Sequence, residues 1–295
     1  MVNQKQTDLQ KVYNEIKNTL SDYVETPDFE AQQIVRQVFD VSYSEILTGV
    51  KRMACPEQIK RIRDIITRRC EHYPLQYLLG EWDFFGRPFL IGEGVLIPRA
   101  DTEVLVEETL RFLKPLSAPK VLDLCSGSGC IGLTVALERP DAQVTAVEKS
   151  LAAFSYLTQN NERLGAKAEC LLGDALALEA VKGPFDLIVS NPPYLTGQDM
   201  AELQVEVRFE PAEALYGDED GLYFYRELTK IYVQRLRPGG MLAYEIGEGQ
   251  QDAVSELLAA ASLKSICQIP DYNGIIRCIT GKNCDFVEDY GLSAV

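Results

Sequence analysis

Val121-Leu122-Asp123-Leu124-Cys125-Ser126-Gly127-Ser128-Gly129-Cys130-Ile131-Gly132-Leu133-Thr134-Val135 reads as an apolar strand, a glycine turn and the start of a helix. Two glycines at a strand-to-helix turn let a ligand approach the backbone closely. Downstream the alternation repeats, with strands expected near 120–124, 143–148, 168–172, 185–190, 240–246, 264–270 and 275–280. Helical composition falls near 101–113, 129–138, 151–164, 221–236 and 249–261. Such alternation predicts an α/β fold, a parallel sheet with helices on both faces. Only Asp271-Tyr272-Asn273-Gly274 separates the last two strands, and a short Asn-Gly turn joins antiparallel neighbours. The sheet is therefore expected to be seven-stranded and mixed, with one antiparallel strand.

Acidic residues mark the strand ends. Glu148 closes the second strand about twenty residues beyond the glycines, where a carboxylate can take both ribose hydroxyls of a nucleoside cofactor. Gly127, Gly129 and Gly132 can be scored as GxGxxG, but that match alone is weak. Gly173-Asp174-Ala175 follows the third strand, where a carboxylate can meet an adenine amino group. A helix cap or surface salt bridge explains any one of these carboxylates as well as binding does. It does not explain a series of polar residues at four successive strand ends. S-adenosylmethionine would use all four: Asp123 and the Cys125, Ser126, Gly127, Ser128, Gly129 loop for the amino-acid part, Glu148 for ribose, Asp174 with Ala175 for adenine, and Asn191 beside the methyl.

The fourth strand, Phe185-Asp186-Leu187-Ile188-Val189-Ser190, runs directly into Asn191-Pro192-Pro193-Tyr194. A planar NH2 group has two in-plane donors; the Asn191 side-chain oxygen can accept one and the Pro192 carbonyl the other. Pro192 and Pro193 remove two backbone donors and fix two φ angles, so both acceptors stand out from a stiff turn. Tyr194 is expected to cover the flat face of the bound group and to offer cation–π attraction beside a sulfonium methyl donor. An ordinary proline turn ending a strand has the same composition, and the tetrapeptide alone leaves both alternatives open.

With 295 residues, 46% hydrophobic and 25% charged, the chain has the composition of a soluble globular protein of two domains. No stretch approaches the roughly 20 apolar residues of a membrane span, and MVNQKQTDLQ has no signal-peptide core, so a cytoplasmic, membrane-free protein is expected. The eight cysteines form no CxxC pair and there is one histidine, His72, so no metal site is expected. Residues 1–80 hold 11 Lys/Arg and 11 Asp/Glu, while residues 81–295 hold 18 and 33. An acidic body repels phosphate backbones, which argues against a stable nucleic-acid partner and suits a basic protein surface better.

The first 80 residues show helical spacing in Leu9, Val12, Ile16 and Leu20 and in Ile59, Ile62, Ile65 and Ile66, with breaks at Pro27 and Pro56. They are expected to form a helical substrate-docking domain. Its basic cluster, Lys51, Arg52, Lys60, Arg61, Arg63, Arg68 and Arg69, is expected to be a solvated helix face. Around Gly86-Arg87-Pro88, Trp82, Phe84, Phe89 and Ile91 alternate, predicting a β-hairpin linker over 81–98. The catalytic domain should then cover 99–283, leaving a frayed tail at 284–295.

Taken together, these motifs resemble the Rossmann-like class I methyltransferases, and more closely the PrmC/HemK protein-glutamine methyltransferases. The resemblance spans nearly the whole chain. It includes Pro74–Trp82 (PLQYLLGEW), Leu96–Glu103 (LIPRADTE), the glycine loop, Val189–Tyr194 (VSNPPY) and Arg208–Pro211 (RFEP) leading to Asp220-Gly221-Leu222. It implies S-adenosylmethionine-dependent methylation of a glutamine side-chain amide in the Gly-Gly-Gln loop of bacterial peptide-chain release factors, with S-adenosylhomocysteine as product. The chain is expected to act as a monomer, without a stable nucleic-acid partner. Cys125 to Gly129 and Glu148 carry over to the cofactor, and Asn191, Pro192, Pro193 and Tyr194 to cofactor and substrate. Asn191, Pro192 and Tyr194 are the expected catalytic group.

Cys125 stands where the family usually has glycine, and is expected to have a negative φ; Ala175 stands where some members place an aromatic ring. The rivals are a glutamine methyltransferase acting on a ribosomal protein, a nucleic-acid adenine methyltransferase and a non-catalytic cofactor-binding scaffold. Eight acidic residues against Arg208 alone over 195–220 are expected to face a basic partner.

Overall fold

The structure, a computed structural model, describes residues 5–177 and 181–284. The expected frayed tail, Cys284 apart, lies outside them. Two compact units are present, Met1–Glu81 with Gln204–Phe209, and Trp82–Leu203 with Glu210–Val295. The segment 204–209, assigned from sequence to the catalytic domain, thus packs with the helical unit.

That unit contains β1 (Lys5–Asp8), α1 (Leu9–Leu20), α2 (Pro27–Phe39), α3 (Tyr43–Leu47), β2 (Lys51–Ala54), α4 (Pro56–Arg69) and α5 (Leu75–Leu79). Pro27 and Pro56 each occupy the first helical position, where a missing N–H costs nothing. Asp8 caps α1 by accepting the Lys11 N–H. Leu9, Tyr13, Ile16 and Leu20 form the buried stripe of α1, so Tyr13 and not Val12 takes the inner position. The antiparallel β1–β2 pair is not foreshadowed by the sequence. Its residues are mostly polar and, in β2, only Ala54 is buried while Met53 is exposed, so the pairing rests on the backbone ladder and leaves no period-2 signal.

Arg69 departs from the expected solvated basic face. It is 2% exposed, and its guanidinium donates to both carboxylate oxygens of Glu30, at 2.6 and 2.9 Å, and to Glu206 at 2.5 Å. In the same unit Phe209 meets Tyr73 edge to face at 5.0 Å.

The second unit begins at Trp82, within a two-stranded hairpin of β3 (Glu81–Phe84) and β4 (Arg87–Leu90), followed by α6 (Thr102–Leu113), β5 (Lys120–Leu124), α7 (Cys130–Glu138) and β6 (Gln143–Glu148). It continues through α8 (Leu151–Leu164), β7 (Glu169–Leu172), β8 (Phe185–Ser190), α9 (Gly197–Ala201), α10 (Tyr223–Tyr232), β9 (Leu236–Glu245), α11 (Gln251–Ala260), β10 (Lys264–Pro270) and β11 (Ile276–Lys282). The seven-stranded sheet has the order β10-β11-β9-β8-β5-β6-β7, and β11 alone runs antiparallel to its neighbours. Asp271 closes the β10–β11 turn, its Oδ1 accepting the N–H groups of Asn273 and Ile275.

Successive residues of a strand face opposite sides, and both sides here are packed. Val121, Leu187, Val189 and Ala243 join one apolar cluster with Ile131 and Leu157; Leu122, Leu124, Ile188 and Tyr244 join a second with Tyr225, Leu228 and Leu258. Burial on both faces explains why the strands read as near-continuous apolar runs.

Candidate active site

Strand order decides where a ligand can bind. The chain leaves β5 toward β6 and β8 toward β9, on opposite sides of the sheet. The loops after β5 and β8 therefore part and leave a crevice at the carboxyl ends. A cavity of about 910 Å³ lies there, and its wall includes Cys125, Ser126, Gly127, Ser128, Glu148, Asp174, Ala175, Asn191 and Pro193. Asp123, Gly129, Pro192 and Tyr194 are not on that wall.

The turn after β5 is tightly wound. Ser126 donates its N–H to Val147 O at 3.0 Å, and Gly129 donates to Ser126 O at 2.7 Å. Cys125, Gly127 and Gly129 all have positive φ, +58°, +55° and +85°. Gly129 serves packing, since a Cβ there would stand 2.6 Å from Leu157 and 2.7 Å from Leu133. Gly127 has open space above it.

The negative φ expected of Cys125 is not found. The hydrogen-bonded turn imposes the left-handed conformation, which a side chain bears at a cost of about 1–2 kcal/mol. Burial pushes its thiol up to about 12, so it remains a protonated wall residue. Cys125→Gly is expected to raise stability by up to about 1 kcal/mol, net of the greater freedom of glycine in the unfolded chain. A melting temperature equal to or below that of the parent, measured without ligand, would contradict the strain.

Asp123, expected at the amino-acid part of the cofactor, is fully buried and is not on the cavity wall. Its Oδ2 accepts the Gly132 N–H at 3.0 Å, a Cβ at Gly132 would lie 2.7 Å from that oxygen, and its Oδ1 has no partner among the described residues. Loss of solvation pushes the carboxyl up to about 7. The folded state then holds a proton that the unfolded chain has released, so Asp123 weakens the fold as pH rises from about 4 to about 7. Asp123→Asn is expected to gain stability over the parent across that window. Urea midpoints at pH 5 and pH 8 test this, and a pH-independent difference would refute it.

Glu148 terminates β6 with Oε2 accepting the Gly127 N–H and Oε1 the Ser150 N–H, both at 2.7 Å. Desolvation raises its pKa, while these backbone donors oppose the rise. Asp174 is partly desolvated, yet the Lys149 ammonium at 2.8 Å and the Leu176 N–H hold its carboxyl below the usual range. Ser128 Oγ is buried without a partner among the described residues.

Asn191 and Pro193 bring the proline turn to the wall. Tyr194, expected to cover the bound group, is not among the wall residues; a Cβ at Gly247 would meet its ring at 3.0 Å, and its pKa is raised by burial and by nearby Glu245. The turn is braced from residues that the sequence reading missed. Tyr194 N–H donates to Leu215 O at 3.1 Å, and Gln250 Nε2 donates to Tyr194 O at 3.0 Å. A Cβ on Gly217 would stand 2.6 Å from Tyr194 Cα, and one on Gly221 2.3 Å from Tyr194 O. Glu210, 6% exposed, accepts the Ile97 N–H at 3.0 Å and pairs with Arg99, tying two stretches of cavity wall together. Glu245 lies buried beyond Tyr244 at the end of β9. An acidic residue closing an apolar strand, as Glu148 does, was its available sequence signal.

The acidic stretch 195–220 is largely occupied within the protein. Glu206 and Glu210 engage Arg69 and Arg99, Asp199 caps α9 and Asp220 pairs with Arg226. The charge available to a basic partner is correspondingly smaller than the sequence count. Among the described residues, no helix is long and apolar enough to cross a membrane.

Residues 101–221 match the methyltransferase small domain, and residues 11–80 match the PrmC N-terminal domain. The chain is 38% identical over 260 residues to a release factor glutamine methyltransferase of Geobacter sulfurreducens, covering 88% of this chain and 90% of the relative. A protein of the same description from Bordetella pertussis is 38% identical over 255 residues, covering 86% and 94%. In fold the chain resembles a methyltransferase from Pyrococcus furiosus, with a TM-score of 0.51, 19% identity and coverage of 68% of this chain and 91% of that one. It also resembles the hMettl16 catalytic domain solved in complex with MAT2A 3'UTR hairpin 1, with a TM-score of 0.55, 14% identity and coverage of 95% and 92%. The open α/β sheet, the crevice at its switch point and these full-length relatives agree: the chain belongs to the release factor glutamine methyltransferase family.

Proposed function

We propose that this chain methylates the side-chain amide nitrogen of the glutamine in the Gly-Gly-Gln loop of peptide-chain release factors, using S-adenosylmethionine. The observation that carries this reading is that Asn191 and the Cys125–Ser128 turn line one cavity, so an amide acceptor and a nucleoside site adjoin.

The residues present fit the cofactor. Gly127 has an open face and Ser128 Oγ lacks a partner among the described residues, as a site for a polar ligand requires. Each carboxylate oxygen has two lone-pair positions, and the two backbone donors on Glu148 leave two positions for a ribose diol. Asp174, flanked by Ala175, offers an acceptor for the adenine amino group. Asp123 serves from behind, by holding the Gly132 N–H. When bound, S-adenosylmethionine supplies an electrophilic methyl group and leaves as S-adenosylhomocysteine.

The protein's own part is placement and polarisation. An amide nitrogen is a poor nucleophile because its lone pair is delocalised into the carbonyl, and positioning must supply much of the rate. Asn191 Oδ1, on the cavity wall, accepts one of the two N–H bonds, and its attraction grows as positive charge develops on nitrogen. Tyr194 supports the turn from behind. The N-protonated product amide is acidic enough to lose its proton to water, so no general base is needed.

The test is methyl transfer from labelled S-adenosylmethionine to purified, unmethylated release factor, read by peptide mass spectrometry beside a Gly-Gly-Ala form. One methyl on the glutamine, absent from the control, is expected. Cofactor binding without transfer would overturn the substrate assignment.

A further inference from the structure

Glu245 is a buried acid to which the mechanism above gives no task. It follows Tyr244, which pairs with Ser190 in the parallel β8–β9 ladder, so Asn191 and Glu245 stand one step beyond that last pair. Two residues back on each strand, Val189 and Ala243 share one apolar cluster. Asn191 and Glu245 therefore extend the same face, with Asn191 on the cavity wall and Glu245, 3% exposed, behind it. Its Oε2 has no hydrogen-bond partner among the described residues, and the polar side chains of Thr102 and Asn191 near it favour the carboxylate form.

An asparagine amide has a donor end and an acceptor end, and nothing intrinsic to the side chain chooses which faces a ligand. An ionised carboxylate can only accept. Beside it, Asn191 must turn its Nδ2–H inward, which leaves Oδ1 outward. A protonated carboxyl can donate and so permits the opposite orientation, with the NH2 outward, where two donors would meet the donors of a substrate amide.

We propose that Glu245 is a positioning residue for the methyl transfer, holding Asn191 with its oxygen toward the cavity, and that only its carboxylate form does this. The inference rests on the acceptor role given to Asn191 above. Burial raises the Glu245 carboxyl to about 7, with Asp101 adding to the rise and Thr102, Arg277 and Asn191 opposing it. Other groups facing it are Tyr194, Tyr225 on α10, Cys130 on α7 and Cys278 on β11, with Asp271 reached through Arg277. The burial and desolvation of this acid thus place its ionisation where ordinary changes of pH alter the fraction of correctly oriented Asn191. Below that value the amide is free to turn, and above it the orientation is held.

Two measurements on the full chain test this. In the first, kcat is followed from pH 5.5 to 8.5 with release factor and S-adenosylmethionine saturating. The parent is expected to gain rate through about pH 7 and then level off. Glu245→Gln is expected to lose at least about tenfold in kcat at pH 8, keep its S-adenosylmethionine Kd within about twofold, and show no inflection. Unchanged kcat, or an unchanged inflection, overturns the proposal.

In the second, which needs no altered Glu245, the protein is labelled with 15N-asparagine and the Asn191 side-chain NH2 signals are identified by their loss in Asn191→Ala. They are expected to move with pH along one titration curve centred near 7; static signals from pH 5.5 to 8.5 overturn the proposal. Full turnover by Asn191→Ala would instead remove the acceptor role itself, and the NH2 titration reports on the Glu245–Asn191 pair whichever way that result falls.

Discussion

Asn191→Ala is expected to lower kcat by about 10²–10³-fold, or about 3–4 kcal/mol, while S-adenosylmethionine binding changes by less than about threefold. The size follows from the nature of the hydrogen bond that alanine cannot make. In the proposed role the Asn191 oxygen accepts a proton-bearing group whose charge grows toward the transition state, so its removal should be felt in kcat more than in KM. The cofactor contacts proposed above come from the loops after β5, β6 and β7, whereas Asn191 reaches the cavity wall from the end of β8. Alanine keeps the backbone turn, which is braced by Gln250, Leu215 and the two close glycines and not by the Asn191 side chain. Single-turnover rates and calorimetric Kd values are the measurements, and full turnover by the variant would remove Asn191 from the reaction.

The second large effect lies in the helical unit. Arg69→Ala is expected to destabilise that unit by about 3–5 kcal/mol, because it strands Glu30 as an uncompensated buried carboxylate. Glu30 is 7% exposed and receives two guanidinium hydrogen bonds, whereas the Glu206 side chain is 40% exposed and can return to water. Replacing both buried partners, as Arg69→Met with Glu30→Leu, should recover most of the loss, since an apolar pair of similar volume removes the desolvation cost along with the attraction. Hydrogen exchange of amides in α2 and α4 reads this unit separately from the sheet. A loss below about 1 kcal/mol for Arg69→Ala would place the pair in the class of solvated surface bridges.

The sheet was legible in the sequence because its signals are local and redundant. Strands buried on both faces are nearly continuous apolar runs, the glycines mark one tight turn, and Asp271-Tyr272-Asn273-Gly274 announces the one antiparallel connection. The helical unit was legible in the same way, through its apolar spacing and the prolines at 27 and 56. The polar β1–β2 pair was not, because a ladder of backbone hydrogen bonds writes nothing into the side chains.

The site divides along the same line. The motif residues Cys125 to Ser128, Glu148, Asp174, Ala175, Asn191 and Pro193 could be named from strand ends alone, since a parallel sheet delivers its loops to one edge. Which side chains turn inward depends on contacts between segments far apart in the chain. Asp123 faces Gly132, the Tyr194 ring lies against Gly247, and Arg69 meets a glutamate from each of two distant segments. Sequence by itself determined the order of the strand-end residues and the Asn191–Tyr194 turn that follows β8. Tertiary structure decided that Cys125 takes a left-handed backbone and that Glu245 is buried, because φ at a wound turn and burial at a strand end are set by neighbours that close only when the sheet assembles.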